Sequence, residues 1–331
     1  EGRRALRLAC LDQRAPLNGT GDRRSFARSL SSFLRAQGYR GKRAVVALPS
    51  PMFDMASLTV AAGSGDPMAD VRAGVQTHLS YPVDEAVIDY MPLHSSSGGG
   101  AARQDVLVVA ARRAVVESLL ELLRLAGLHV VAVDVPPAAL GRLTRLLRGD
   151  GNAGPTAVVD VGATQTTAVI AEADMLMCCR RNPLGGSHFT AAIQKALEVS
   201  EDEAEQIKRQ YVVGMYTEDT ADEETHRRVH TILRDVLRPT LEQFAAEFQR
   251  LLRYFSTRSK GRQVVQTLLV GGGSQMASLR IAVSEITQVP AITLGSPDQP
   301  EHPAFELHGC LPTLPVACFG VASGLALRGA P

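Results

Sequence analysis

The stretch Thr156–Met177, TAVVDVGATQTTAVIAEADMLM, decides the fold. Thr156–Asp160 is an apolar, β-branched run that ends in an acid, and Val161–Gln165 carries a turn. Thr166–Ala171 is a second β-rich run and Met175–Arg180 a third, so the stretch reads as strand, tight turn, strand, short turn, strand. A buried strand would fix Asp160 at its end. Gly162, with no Cβ, would let backbone N–H groups approach an anion closely. Thr164 and Thr166 would add hydroxyl donors. A carboxylate repels phosphate, so Asp160 would act through a Mg²⁺ and its waters, with the Mg²⁺ holding the phosphates. The competing reading is an ordinary hairpin with a glycine turn, because Asp-x-Gly is common in turns.

The chain around this hairpin has 331 residues, 45% hydrophobic and 21% charged, which is enough for two or more domains with their own cores. A net charge of +1 gives no reason to expect a nucleic-acid partner. The five cysteines have no framework spacing and no C-x-x-C, so a metal knuckle is not expected and free thiols in a reducing compartment fit. The apolar runs Val106–Ala111 and Val130–Val135 are too short to span a bilayer.

Upstream of the hairpin, strands and helices alternate. Arg4–Leu11 is an expected strand, Leu17–Asp22 a turn and Arg23–Gln37 an amphipathic helix closed by Gly38 and Gly41. Strands are expected at Ala44–Leu48, Met55–Val60, Ala86–Pro92, Asp105–Ala110 and Leu128–Val133. Helices are expected from Asp66-Pro67 to Leu79, with Asp66 as N-cap, and over Arg113–Ala126. Ser95–Gly100 (SSSGGG) is an expected loop, Pro137–Arg148 a helix and Gly149–Pro155 a linker. Downstream, Gly185-Gly186 precedes a helix over Phe189–Leu197, and Ser200 caps another running to Gln210. After an acidic loop, Gly214–Glu223, a long apolar periodicity runs from Val229 through Ile232 to Phe255, with Pro239 expected to kink it or start a second helix. Gln266–Val270 is a strand followed at once by Gly271-Gly272-Gly273-Ser274 and a helix to Ile286, an order that lets a nucleotide approach bare backbone and a helix start. It is neither a G-x-G-x-x-G nor a Walker loop, and a structural glycine turn is the alternative. Asp298–Pro315 is a Pro-rich loop, and an Ala/Gly-rich helix over Pro315–Arg328 closes the sequence.

Taken in order, Asp160-x-Gly162-x-Thr164, Gly185-Gly186-x-x-Phe189-Thr190, Ala204-Glu205-x-x-Lys208, Gly271–Ser274 and the small-residue closing helix resemble the actin-like ATPase superfamily. The α/β block before the hairpin is similar to that of the cell-division protein FtsA and its relatives. The stretches YPVDEAVIDY (81–90), VVAARR (108–113), Ala126-Gly127-Leu128 and Gly324–Arg328 resemble the type IV pilus assembly protein PilM family over almost the whole chain.

The resemblance implies an actin-like (ribonuclease H-like) two-lobed α/β fold with an inserted α/β subdomain. Residues 1–41 and 137–154 would form the first lobe, 42–136 the insert, 155–187 and 265–331 the second lobe, and 188–264 an insertion into that. It implies ATP or ADP with Mg²⁺ as cofactor. Asp160, Gly162, Ala163 and Thr164 match the second phosphate loop, with Thr166, Gly185 and Gly186 beside it. Glu205 and Lys208 match the pair that contacts ribose and adenine, and Gly271, Gly272, Gly273 and Ser274 match the adenosine motif. Only four lysines occur among 35 basic residues, so a lysine at 208 is not the default cation; a solvated i, i+3 Glu–Lys pair is the plain alternative. Two features depart from the family. Its first phosphate loop has no counterpart, since Glu1 already lies past it: either the first residues are cut off, as the sequence reads, or the protein lacks half of its phosphate clamp. Arg72–Gln76 also stands where relatives carry an aromatic–acid pair.

The expected function is a cytoplasmic nucleotide-binding scaffold of type IV pilus assembly, at most a weak ATPase, at the inner face of the inner membrane. It would bind the cytoplasmic N-terminal peptide of a PilN-like membrane protein and other pilus assembly proteins, and reach the membrane only through them. The alternatives are a nucleotide-independent module of a pilus or secretion platform, and a metabolic kinase of the same superfamily. For the kinase, no Asp stands convincingly as the catalytic acid over a substrate hydroxyl.

Overall fold

A computed structural model describes residues 23–36, 41–61, 66–93, 103–147, 154–173, 175–212, 223–295 and 315–328. The expected strand at Arg4–Leu11, the turn at Leu17–Asp22, the SSSGGG loop, the acidic loop, the Pro-rich loop and most of the 149–155 linker lie outside these residues, as do Gly38, Cys10 and Cys310. The elements in order are α1 (Arg23–Ala36), β1 (Arg43–Ala47), β2 (Asp54–Ala61), α2 (Pro67–Val75), β3 (Ala86–Pro92), β4 (Arg103–Arg112), α3 (Arg113–Leu125), β5 (His129–Asp134), α4 (Pro136–Leu143), β6 (Thr156–Val161), β7 (Thr166–Glu172), β8 (Met175–Asn182), α5 (Gly186–Leu197), α6 (Glu201–Ile207), α7 (Glu223–Arg258), β9 (Gln266–Val270), α8 (Ala277–Thr287), β10 (Ala291–Thr293) and α9 (Gly320–Ala326). The described residues within Glu1–Arg142 and Val321–Pro331 form one compact unit, and those within Leu143–Pro303 and Pro315–Gly320 the other. Among the described residues no helix is long and apolar enough to cross a membrane.

In the first unit, β4 is central in an antiparallel sheet of order β2-β4-β3. Its run Val106–Ala111 is buried throughout because both its faces are covered. On one face α2 supplies Val71 and Val75 against Val60, Val106 and Val108. On the other, Val109 and Ala111 pack with Leu48, Phe53 and Val135. β1 and β5 pair in parallel, while α1 sets Ala27 and Leu30 on Leu122, Leu123 and Ala126 of α3. The start of α2 is built as its sequence dictates. Asp66 Oδ1 accepts from the amides of Met68 (3.1 Å) and Ala69 (3.2 Å), and Pro67 takes the first helical position. Asp66→Ala should therefore lower stability by about 1 kcal/mol, seen as a lower urea midpoint at unchanged m-value.

A buried carboxylate ties the end of this unit together. Asp134 at the end of β5 accepts from Arg142 of α4 and from Arg328 (2.8 Å), and its Oδ1 also takes the Val135 amide (2.8 Å). Arg142 donates in addition to the Gly324 carbonyl (2.9 Å), and Arg328 to that of Val133 (3.4 Å). Gly324 of α9 lies directly on the α4 backbone: a Cβ there would stand 2.0 Å from the Ala139 carbonyl oxygen.

The second unit carries a five-stranded sheet of order β10-β9-β6-β7-β8. β10, β9 and β6 run parallel, whereas β7 is antiparallel to both β6 and β8. β6 is central and its Ala157, Val158 and Val159 are fully buried. Phe189 and Ile193 of α5, Leu237, Phe244, Phe248 and Leu251 of α7, and Leu279 and Val283 of α8 share one core with it. Each large side chain so removed from water contributes roughly 1.5–3 kcal/mol. Two expectations for α7 are corrected. The helix runs unbroken from Glu223 to Arg258 with Pro239 inside it, so no second helix starts there. Ile232, placed by its spacing on the inner face, is 51% exposed. The closing helix is also shorter than expected, a 3₁₀ turn over Val316–Phe319 leading into α9.

Candidate functional site

β6 and β9 run parallel with Asp160 opposite Val270, so their carboxyl ends stop at one edge of the sheet. Each end passes directly into a glycine turn, and such an edge is where open α/β sheets receive ligands. After β6, Gly162–Gln165 closes the hairpin through a bond from the Gly162 amide to the Gln165 carbonyl (3.0 Å). A Cβ on Gly162 would stand 2.9 Å from that carbonyl oxygen, so glycine is required here by proximity. Ala163 and Thr164 are exposed at the tip, and their backbone N–H groups take no backbone acceptor among the described residues.

The start of α5 holds this loop. The Gly186 amide donates to Gly162 O (2.9 Å) and the Ser187 amide to Ala163 O (2.7 Å). Two of the orphan donors of the helix N-terminus therefore face the loop carbonyls. Gly185 lies flat on the loop, since a Cβ there would meet Gln165 N at 2.6 Å and Ala163 O at 2.7 Å. The Gly185 amide donates to His188 Nδ1 (3.1 Å) and its carbonyl accepts from the His188 amide (3.1 Å), a reciprocal cap. The helix begins at Gly186, three residues before the expected Phe189, and this brings the two glycines to its first turn.

Asp160 sits between the two glycine turns. Its Oδ1 lies where a Cβ on Gly271 would stand 2.4 Å away, and Val161 O lies 2.6 Å from the same point. Gly271 has φ +86°, and its amide donates to Ala317 O (2.7 Å). Gly273 abuts the Val161 side chain, with a Cβ position 2.5 Å from Val161 Cγ1. Ser274 is buried and donates its hydroxyl to Gly271 O (2.7 Å). Gly272 alone of the four is exposed, with open space where a Cβ would be. Desolvation pushes the Asp160 carboxyl up to about 6. A carboxylate in that position favours an added cation.

Three residues expected at the nucleotide have partners within the protein. Thr166 is buried and donates its hydroxyl to Leu184 O (2.6 Å), so it is no free donor at the loop tip. Its place as the first residue of β7 turns it inward. Lys208 is buried, and its Nζ donates to Gly186 O (3.1 Å), Thr190 Oγ1 (2.7 Å) and Glu205 Oε2 (2.5 Å). Ser274 likewise holds its own turn with its hydroxyl. Glu205 accepts from Lys208, from the Thr190 hydroxyl (2.7 Å) and from Arg209 (2.9 Å). Burial acts to raise its pKa, yet the bonds from Lys208, Thr190 and Arg209 and the Lys208 charge outweigh it and hold the carboxyl below its usual range. Past Ile207 the helix widens into a π-turn over Lys208–Val212. Ser187, Thr190 and His188 complete the cluster. Only Thr190 has a sequence signal, its place in the Gly-Gly-x-x-Phe-Thr pattern.

These bonds join the loop Gly162–Gln165, the start of α5 and the Glu205–Lys208 pair, while Gly271 stands against Asp160 and Gly273 against Val161. Asp160, Ala163, Thr164 and Gly272 have capacity left for a ligand, and Glu205 is one third exposed. Mg²⁺ takes one or two carboxylates and completes its shell with water and phosphate oxygens. A lone carboxylate beside free amides fits that habit. Among the described residues no three His, Cys, Asp or Glu side chains gather into a cation cage.

Comparison with known proteins gives a consistent result. The family model for the type IV pilus assembly protein PilM matches residues 20–330. The chain is similar to a solved PilM-PilN type IV pilus biogenesis complex, at 26% identity and TM-score 0.70, over 94% of this chain and 87% of that one. It is 31% identical to the cell division protein FtsA of Bacillus subtilis (strain 168) over 111 residues, 34% of this chain. The match spans 25% of that relative's length. It is also similar to MreB 5 of Spiroplasma citri, solved bound to AMPPNP, at 13% identity and TM-score 0.43, over 66% of this chain and 65% of that one.

Proposed function

This chain belongs to the type IV pilus assembly protein PilM family and has its actin-like α/β fold, and on that premise we propose that it is a nucleotide-binding scaffold of type IV pilus assembly. Its partner is the N-terminal peptide of a PilN-like membrane protein, and other pilus assembly proteins join through the same machine. The chain works at the inner face of the inner membrane and reaches it through these partners. The similarity to a PilM-PilN complex over 94% of the chain supports the partner. The subdomain division given above is part of the same reading.

One observation carries the nucleotide. Among the described residues Asp160 is desolvated with no opposing charge acting on it, at the edge where two parallel strands end, against Gly271, and each strand runs into a glycine turn, one with Ala163 and Thr164 amides that take no backbone acceptor and one with the bare backbone of Gly272. The cofactor is ATP or ADP with Mg²⁺, and Mg²⁺ neutralises phosphate charge when bound. Asp160 orients the water shell of the cation. The loop amides donate to phosphate oxygens, and Gly272 lets the nucleotide pass close to the backbone. Glu205 keeps acceptor capacity for ribose hydroxyls. Nucleotide alters the chain's affinity for its partners by binding one conformation more tightly than another.

The experiment is a calorimetric titration of the chain and of Asp160→Asn with Mg-ATP. The variant is expected to bind at least about tenfold more weakly, a loss of about 1.4 kcal/mol. Without ligand it should be the more stable protein. The native carboxyl, raised from 3.8 to about 6, keeps its proton in the folded chain while the unfolded chain has lost it. Stability therefore falls as pH rises through that window, and the penalty is complete above it. It amounts to roughly 2–3 kcal/mol. Asp160→Asn removes it, so the melting temperatures of the two proteins converge near pH 4 and diverge above pH 6. Unchanged affinity in Asp160→Asn would refute the Mg²⁺ role.

A further inference from the structure

Lys208 is matched, in this family, to a residue that reads the nucleotide's base; its surroundings here give it a different task. A lysine ammonium has three protons and no acceptor. All three are directed at protein atoms: the Gly186 carbonyl, the Thr190 hydroxyl and the Glu205 carboxylate. The side chain is only 10% exposed, so no water-facing proton is left over. A lysine taken out of water keeps its charge only when it is matched in this way.

Gly186 lies between Lys208 and the phosphate-side loop. A Cβ on Gly186 would stand 3.6 Å from Lys208 Nζ, 3.7 Å from Gly162 O and 3.8 Å from Ala163 O. Its carbonyl accepts from Lys208 while its amide donates to Gly162 O. The Ser187 amide, next along, donates to Ala163 O. Lys208 therefore bears on the loop through a single peptide unit. Thr190 and Glu205 fix α5 against α6 at the same point, since Thr190 donates to Glu205 and accepts from Lys208. The π-turn starts at Lys208 itself, an irregularity frequent at functional sites.

We infer that Lys208 is a positioning residue for the loop Gly162–Gln165 and does not itself read the base. This rests on the nucleotide reading above. Lys208 holds the first turn of α5, and that turn holds the loop carbonyls.

The test uses the full chain, Lys208→Met and Thr190→Val, with two readouts. The first is hydrogen exchange at the Gly186 and Ser187 amides without ligand, which reports the positioning directly. Exchange is expected to quicken about tenfold in Lys208→Met and in the same direction, less strongly, in Thr190→Val, a change that keeps the side-chain shape should the methionine variant fold poorly. The second is the affinity for Mg-ATP, Mg-GTP and Mg-tripolyphosphate. Lys208→Met should weaken both purine nucleotides by about tenfold with the native ratio between them unchanged. Unaltered amide exchange in both variants would overturn the positioning role. A preference for ATP over GTP that vanishes in Lys208→Met would assign the base to Lys208 after all. Failure of the native chain to bind any of the three probes sinks the nucleotide reading instead, and the exchange data still decide the positioning.

Discussion

Gly324→Ala should destabilise the protein by about 3 kcal/mol or more, against the usual gain of up to about 1 kcal/mol for alanine over glycine in a helix. The sign reverses because α9 lies with its backbone on that of α4. The new methyl would stand 2.0 Å from the Ala139 carbonyl oxygen and 2.5 Å from its carbon. Both obstacles are backbone, so no side chain can swing aside. The helices would have to part, and with them the bond from Arg142 to the Gly324 carbonyl. Arg142 also serves the buried Asp134, so the loss spreads to that ion pair. A thermal melt checks the expectation: the variant should melt well below the native chain, and an equal or higher midpoint would mean that α9 is not packed as described.

Gly271→Ala and Gly272→Ala, neighbours in one turn, should behave oppositely. Gly271 has φ +86° and ψ 165°, a region that is essentially glycine's alone and costs other residues about 1–3 kcal/mol. Its Cβ would also collide with Asp160 Oδ1 and Val161 O. Strain and collision together should cost about 4 kcal/mol and displace the carboxylate proposed to hold the cation. At Gly272 nothing lies within 4 Å of a Cβ, so alanine there should leave stability within about 0.5 kcal/mol. If a nucleotide runs along that backbone, Gly272→Ala should nonetheless lower its affinity. Urea unfolding of the two variants beside a Mg-ATP titration separates the outcomes. A destabilised Gly272→Ala, or a tolerant Gly271, would show the turn to be built otherwise.

Much of this was legible in the sequence because its signals are local. The alternation and turn chemistry of Thr156–Met177 define three strands within 22 residues, and Asp66-Pro67 caps its helix with atoms two and three residues away. The glycines at 185, 186 and 271–273 were legible as places where backbone must come close. What they approach was not, since four of them meet other parts of the protein, leaving only Gly272 facing outward. Thr166 and Lys208 look like available donors by residue type. Their hydroxyl and ammonium protons go to acceptors 18 and 22 residues away, at Leu184 and Gly186. No periodicity encodes such a pairing. Asp134 lay just past an expected strand and carried no reading, because the arginine that reaches it comes from position 328.

The bond from Arg328 to the Val133 carbonyl joins residues 195 positions apart. A ribosome makes the β2-β4-β3 sheet early, from contacts within about sixty residues, and that sheet can condense while synthesis goes on. β5 and α4 must wait. Their covering helix and its arginine emerge only after the whole second unit has been translated, and β6 itself waits for β9 to occupy its open edge. The part of the first unit around Asp134 is thus among the last to mature, although most of its chain is made first. Until Arg328 and Gly324 are made, Asp134 lacks one of its two arginines and the face of α4 around Ala139 lacks its cover.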